Sequence, residues 1–276
     1  MRLILLTILT MIAFAANSVL NRLALTDGAM GPAAFAAIRL GAGAVMLAVL
    51  VLTSRRGGMG LFGPGRATGV LSLTLYMLGF SFAYVSLPAG LGALLLFGGV
   101  QVTMFAGAVI GGDEVPPLRW LGAGVAFAGL AWLLWPAGVS APPLVPALLM
   151  AAAALGWGIY SLVGRGAADP LQSTAANFLL AAPLAVIVFA LRPDQVSAQG
   201  MALAVASGAI TSGMGYALWY AILPSLGASR AAVAQLTVPI IAMAGGMAFL
   251  AEPLTTRFVI AAALVLGGVG VSLMRR

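Results

Sequence analysis

The stretch Gly111-Gly112-Asp113-Glu114-Val115-Pro116-Pro117-Leu118-Arg119-Trp120 closes a long apolar run that begins near Leu87. Its pattern returns later as Leu250-Ala251-Glu252-Pro253-Leu254-Thr255-Thr256-Arg257-Phe258. Glu114 and Glu252 stand 138 residues apart, as do Arg119 and Arg257, and 138 is half of the 276-residue chain. A fixed offset of this kind marks an internal duplication, with one unit over 1–138 and a second over 139–276. Pro32 and Pro170 keep the offset, and so do Gln101 and Pro239. Phe14–Arg22 resembles Trp157–Arg165 with a small shift, Ser18 falling against Ser161.

The solvent for this chain is lipid. Hydrophobic residues make up 62% of it and charged residues 7%, against about 25% charged in a soluble domain. Apolar runs long enough to cross a bilayer recur from end to end. The composition also removes chemistry. There is no Cys and no His, and every basic residue is Arg. Thiol chemistry, thiolate metal sites, a P-loop lysine, a Schiff base and the commonest general base are all excluded. The six carboxylates, Asp27, Asp113, Glu114, Asp169, Asp194 and Glu252, fall in predicted loops or at helix ends, so intramembrane catalysis has no acid pair to work with. A membrane enzyme is therefore a poor reading, and no cofactor or metal is expected. The net charge of +7 comes from arginines scattered singly between apolar runs. That pattern does not make the clustered basic face a nucleic-acid backbone needs.

Hydropathy and breakers predict an all-α integral membrane protein of about ten spans. They run over 3–22, 32–52, 67–86, 89–110, 117–136, 143–163, 170–191, 200–221, 228–249 and 255–274, separated by links such as Gly57-Gly58, Gly63-Pro64-Gly65, Pro116-Pro117 and Pro142-Pro143. With the amino terminus inside, the inner segments hold Arg2, Arg55, Arg56, Arg66, Arg119, Arg165, Arg230, Arg275 and Arg276. The outer ones hold Arg22, Arg192 and Arg257. The positive-inside rule then places both termini in the cytoplasm. An odd number of spans per unit makes the second unit enter the membrane in the opposite sense, giving inverted repeats around a central cavity.

The chain resembles the drug/metabolite transporter superfamily, and within it the EamA-type ten-helix exporters. The resemblance rests on Asp113-Glu114-Val115-Pro116 and its repeat Glu252-Pro253-Leu254, each followed by a Gly-rich span, on Ala231–Pro239, and on Asn17–Arg22 at the end of the first span. The layout is similar to that of the YddG-like amino-acid exporters. The resemblance implies a basket of helices around a cavity, alternating access, and fifth and tenth spans acting as staves. Small multidrug relatives exchange protons on a deep glutamate, and the first span here carries none.

A polar solute crossing lipid needs partners near mid-span at the repeat interface. Candidate substrate-binding residues are Asn17, Arg39, Tyr76, Phe80, Gln101, Trp157, Tyr160, Tyr216, Trp219 and Gln235. Asn17 and Asn21 share a helix face, either as pocket or as polar glue between helices, with Asn21 expected near the surface. Arg39 lies about two turns into the second span, either as a dock for a carboxylate or other anion or snorkelling outward. Tyr76, Phe80 and Tyr84 share one face of the third span. With Trp157, Tyr160, Tyr216, Trp219 and Tyr220 they form either an aromatic wall or, for Tyr84 and Tyr220, an interfacial belt. Gly98, Gly99 and Pro239 are hinge candidates, since Pro239 frees the carbonyl of Gln235. Glu114 and Glu252 read as helix-start caps paired with Arg119 and Arg257. Gly122/Ala126, Gly124/Ala128 and Ala263/Gly267 make small-residue pairs for close packing of the fifth and tenth spans, expected to join the halves rather than make a dimer. The expected function is a secondary transporter of small organic metabolites, foremost amino acids including aromatic ones, in the inner (plasma) membrane. Its partners are a small-molecule substrate and the lipid bilayer, with a monomer favoured over a dimer. A nucleotide-sugar or drug carrier of the same superfamily is the alternative.

Overall fold

The structure is a computed structural model; it describes residues 1–26, 28–54, 60–112, 115–135, 142–165, 167–226 and 228–273. Asp27, Arg55, Arg56, Gly57, Gly58, Asp113, Glu114, Arg275 and Arg276 lie outside the described residues. The expected Glu114–Arg119 pair is among the readings that fall there.

Every described element is helical. They are α1 (Arg2–Leu25), α2 (Pro32–Thr53), α3 (Arg66–Ala83), α4 (Ala89–Ile110), α5 (Pro117–Leu134), α6 (Leu144–Gly164) and α7 (Pro170–Leu191). Then come α8 (Ala198–Leu226), α9 (Ala228–Gln235), α10 (Val238–Leu250) and α11 (Thr256–Ser272). Proline opens α2, α5 and α7 in their first turns, where its missing N–H has no partner to lose. Among the described residues, eight helices are long and apolar enough to cross a membrane, with α9 and α10 counted together as Arg230–Leu250. α3 carries Arg66, Thr68, Ser72 and Thr74, and α11 is 17 residues long. These two complete the expected spans.

Two irregularities escape hydropathy. α8 passes through a π-helical stretch at Ala206–Met214. The ninth span is broken between α9 and α10, where Leu236 and Thr237 turn back to the carbonyls of Val233 and Ala234. Pro239 therefore sits in the first turn of α10 rather than within a continuous helix. α4, in contrast, runs unbroken through Gly98 and Gly99.

The packing repeats itself between the halves. α3 packs on α6, as α8 packs on α1; α4 packs on α6, as α10 packs on α1; α2 lies against α8, as α7 lies against α3. The pairs α2–α7, α4–α10 and α5–α11 join the halves. For these pairings, exchanging the first five spans for the last five returns the same set, whereas the α4–α5 and α1–α4 contacts have no counterpart of similar extent in the second half.

The α5–α11 contact uses one of the small-residue stripes anticipated on these helices and not the others. A Cβ on Gly268 would lie 2.6 Å from both the Ala126 nitrogen and the Gly122 oxygen, and one on Gly129 would meet Leu264 and Val265. Gly124 and Gly267 face away, with nothing within 4 Å of an added Cβ. Gly268→Val is expected to destabilise the protein by about 1–3 kcal/mol through overpacking. Gly267→Val is expected to stay within about 0.5 kcal/mol. Thermal unfolding of the two variants in detergent separates them.

Candidate functional site

A cavity of about 720 Å³ opens among α4, α5, α6, α8, α9 and α11, within the size range of small-molecule sites. Exposed Arg119 and Arg165 stand at its mouth, and Trp157, Tyr216 and Trp219 form its aromatic wall. Gln101 and Gln235 add amides to the lining, and Ser161 a hydroxyl. A neighbouring recess of about 580 Å³, lined by Arg66, Tyr160, Thr174 and Asn177, shares Gly164, Pro170 and Tyr220 with it.

Trp157 is the centre of the wall, and its flanking glycines put it there. A Cβ on Gly156 would lie 2.6 Å from the Ser72 oxygen, and one on Gly158 would lie 2.5 Å from Thr103. Only glycine lets α6 wedge this tightly between α3 and α4. The indole then stacks on Tyr160 at 5.4 Å and on Tyr216 at 5.1 Å, and lies 4.9 Å from the Tyr76 ring. Phe14 packs edge-on against both Tyr216 and Trp219 at 5.7 Å. Such contacts hold the rings in fixed rotamers before any solute arrives.

Behind the wall lies a buried polar network. The Asn17 amide oxygen accepts from the hydroxyls of Ser207 at 2.8 Å, Thr211 at 2.6 Å and Ser212 at 3.3 Å. Positions four and five apart share this one acceptor because the π-helical stretch widens the turn. Ser212 accepts in turn from Arg39 Nε at 3.3 Å, and Arg39 Nη2 donates to the Tyr76 hydroxyl at 3.1 Å. The Arg39 guanidinium lies 4.8 Å from the Phe80 ring centre and 5.6 Å from that of Tyr76. Arg39 is 0% exposed, and its Nη1 has no hydrogen-bond partner. It does not snorkel, because α3 and α8 close over it. A Cβ on Gly208 would strike the Arg39 backbone oxygen, so glycine there lets α8 approach α2 closely enough to bury the arginine.

The end of the bundle opposite the Arg119–Arg165 mouth is sealed. Asn21, Ala83, Tyr84, Leu87 and Ala89 lie at helix ends there, and all are fully buried. Asn21 was expected near the surface; instead it bonds to the Asn17 carbonyl and to Ser81, because α1 and α3 converge at this end. Tyr84, expected in an interfacial belt, turns its hydroxyl inward to the Ala89 carbonyl at 3.1 Å. Glu252 does not pair with Arg257. It pairs with Arg22 at 3.4 Å and caps α4 by accepting from the Ala89 N–H at 2.8 Å. Arg22 also donates to the carbonyls of Tyr84 and Val85, whereas Arg257 donates to those of Trp132 and Trp135. The Arg22–Glu252 latch thus ties α1, the α3 end, the α4 start and the α10 end together. Asp194 acts likewise at this end, accepting from the N–H groups of Ala33 and Ala34 at the start of α2.

Burial raises the Glu252 carboxyl above its ordinary value, and the Ala89 N–H and Arg22 pull it partway back. A carboxyl held above its exposed value binds its proton more tightly in the sealed end than in an opened one. Sealing is therefore favoured as pH falls, and that contribution is lost as pH rises through the raised value. The chain has no native cysteine, so this can be read directly. A cysteine replacing Ser81, which is fully buried, is expected to label faster at about pH 8 than at about pH 5, relative to an exposed control cysteine. Glu252→Gln is expected to flatten that dependence.

The candidates from sequence separate into layers. Trp157, Tyr216, Trp219, Gln101 and Gln235 line the cavity. Tyr76 lies one ring behind it and Phe80 a further ring back, with Arg39 and Asn17 in the network beyond. Tyr160 faces the smaller recess, its hydroxyl donating to Thr174 at 3.3 Å. Tyr220, read with Tyr84 as belt, lines both spaces. Gly98 and Gly99 face close packing, with Leu130 and Ala154 respectively within 3 Å of an added Cβ. Ser207, Thr211, Ser212 and Ser161 were missed. The run Ala206-Ser207-Gly208-Ala209-Ile210-Thr211-Ser212-Gly213, rich in small and hydroxyl residues inside an apolar span, was the available signal.

Comparison with known proteins agrees with this architecture. The sequence profile described as the EamA-like transporter family matches residues 144–274. An uncharacterised protein of Pseudomonas aeruginosa is 46% identical over 100% of this chain and 96% of its own length. An uncharacterised transporter of Archaeoglobus fulgidus is 24% identical over 90% of each chain. A solved crystal structure superposes with a TM-score of 0.72 at 21% identity, covering 98% of this chain and 96% of the other; it speaks to the fold.

Proposed function

The chain belongs to the EamA-like transporter family, and from that premise we propose a secondary transporter of small organic metabolites, foremost amino acids including aromatic ones, working by alternating access. The observation that carries this reading is the aromatic-walled cavity, open at one end of the bundle while the latch closes the other. The open end bears Arg66, Arg119, Arg165 and Arg230, and by the positive-inside rule it faces the cytoplasm. The state is then inward-facing, in a plasma membrane, with both termini cytoplasmic. The units 1–138 and 139–276 rock against each other. The α9–α10 break before Pro239 and the Gly98-Gly99 pair serve as hinges, and the α5–α11 staves hold the units together within a monomer.

Solute enters among Gln101, Trp157, Tyr216, Trp219 and Gln235, where rings take its apolar part and amides its polar part. Tyr76, Phe80, Tyr160, Asn17 and Arg39 support that wall from behind. No deep carboxylate lies in the first span, and the solute gradient itself drives transport. Counterflow in proteoliposomes tests this reading with a panel of aromatic and aliphatic amino acids. Saturable exchange of the aromatic members is expected, and its absence across the panel removes the substrate class.

A further inference from the structure

The smaller recess has a chemistry of its own. We propose that it is a carboxylate-binding station beside the aromatic cavity, where Arg66 and a relay of hydrogen bonds ending at Thr174 hold the anionic head of a solute. The inference rests on the carrier reading above for its place in transport, while the anion preference stands on the recess itself.

The local sequence builds the relay. Pro170 opens α7, and Ser173, Thr174 and Asn177 follow within its first two turns. Gly65 holds a positive φ of 73° and starts α3 at Arg66. One turn later, a Cβ on Gly69 would lie 3.1 Å from the Asn177 amide nitrogen and 3.2 Å from its oxygen, so glycine there lets that amide lie against α3. Asn177 keeps the 138-residue offset from Arg39. The packing that is closed around Arg39, where α2 lies against α8, is open here, where α7 lies against α3.

Each link of the relay has a set direction. A guanidinium only donates, and Arg66 Nη1 donates to the Asn177 amide oxygen at 2.7 Å. That turns the Asn177 amide nitrogen to the Tyr160 oxygen at 3.5 Å, and the Tyr160 hydroxyl donates to Thr174 at 3.3 Å. Thr174 accepts there and keeps its own proton to give. All four residues line the recess, so the relay ends on a donor in its wall.

Arg66 also has donors to spare. Nη1 is spent on Ser173 and Asn177, Nη2 gives one bond to the Gly60 carbonyl at 2.9 Å, and Nε has no partner. Nε and Nη2 are adjacent nitrogens of the fork that takes a carboxylate by two parallel bonds. Among the described residues, every hydrogen-bond partner of Arg66 is neutral. Asp169 lines the recess too, but its carboxylate accepts from the Leu171 and Gln172 N–H groups and caps α7. A buried donor left without an acceptor is costly, and an oxyanion supplies what this recess lacks. The recess adjoins the aromatic wall as well. Tyr160 lines the recess and stacks on Trp157, which lines the cavity, and Tyr220 lines both. A solute docked by its carboxylate therefore stands beside the rings that take its apolar part.

The test is equilibrium binding to the purified full chain in detergent, read by tryptophan fluorescence, to which Trp157 contributes from behind Tyr160. The probes are benzoate and its neutral isostere benzamide, with inorganic phosphate and phosphatidylglycerol as competitors. Benzoate is expected to bind roughly ten-fold or more tightly than benzamide, as charge-assisted bonds supply. Arg66→Gln is expected to abolish that gap. Thr174→Val keeps the side-chain shape, folds without the charge change, and is expected to narrow the gap by about three-fold or more. Arg119→Gln removes an equal charge at the cavity mouth and is expected to leave the gap within about two-fold of the parent. A parent gap below about two-fold, a gap unchanged in Thr174→Val or in folded Arg66→Gln, or an equal loss in Arg119→Gln overturns the inference. Phosphate or phosphatidylglycerol displacing benzoate at a concentration below benzoate's own half-saturation overturns the carboxylate assignment. The full gap with no counterflow of any amino acid sinks the carrier reading and leaves this one standing. Amino-acid counterflow with no gap does the reverse.

Discussion

Replacing Trp157 with alanine is expected to raise the half-saturation concentration for counterflow of aromatic solutes by about a hundred-fold or more. Loss of a fully buried tryptophan costs on the order of 3–5 kcal/mol in packing terms; Trp157 is partly buried, but its ring also orders its neighbours. Tyr76, Tyr160 and Tyr216 all rest on the indole, and without it the wall has no fixed shape. Trp157→Phe retains a ring between the two flanking glycines and is expected to stay within about ten-fold of the parent. Counterflow at graded solute concentrations checks both variants. Equal half-saturation values for Trp157→Ala and the parent would remove the aromatic wall from the solute path.

The second large effect is at the sealed end. Arg22→Ala is expected to raise the labelling rate of the Ser81→Cys cysteine by roughly thirty-fold. Truncating one partner of a buried, hydrogen-bonded charge pair costs about 2–5 kcal/mol; the Arg22–Glu252 pair is partly buried, and the low end, about 2 kcal/mol, converts to the stated ratio in an opening equilibrium. Arg22 does more than pair with Glu252, because it also holds the Tyr84 and Val85 carbonyls. Glu252→Gln leaves an acceptor for the Ala89 N–H and is expected to open this end much less. Labelling by a membrane-impermeant maleimide, normalised to an exposed cysteine, reads the difference. Equal rates in Arg22→Ala and Glu252→Gln would deny Arg22 its wider role.

The scaffold was legible because lipid writes plainly. Span limits follow from apolar length and from prolines such as Pro32, Pro117 and Pro170, whose effect is local. The constant offset at Glu114/Glu252 and Arg119/Arg257 is what points to a duplication in the sequence. The aromatic residues were legible as a group, since Trp157, Tyr216 and Trp219 sit deep in their spans. What failed was pairing across the bundle. Glu252 has Arg257 five residues away and Arg22 some 230 residues away, and nothing local ranks the distant partner first. Asn21 and Tyr84 were placed near the surface because they end their spans, but convergence of the helices buries those ends. On α5 and α11 more than one stripe of small residues satisfies the packing pattern, and only helix rotation selects Gly122 and Gly268 over Gly124 and Gly267. The π-helical stretch is invisible to hydropathy, because its purpose is to bring Ser207, Thr211 and Ser212 onto Asn17.

The most direct measurement of the carrier account is paired labelling of Ser81→Cys at the sealed end and Ser161→Cys in the open cavity, with and without Arg22→Ala. The account predicts a reciprocal result. Ser161→Cys reacts and Ser81→Cys is protected in the parent, and Arg22→Ala exposes the second while protecting the first. Simultaneous reaction at both positions, or exposure of Ser81→Cys with no loss at Ser161→Cys, would contradict it.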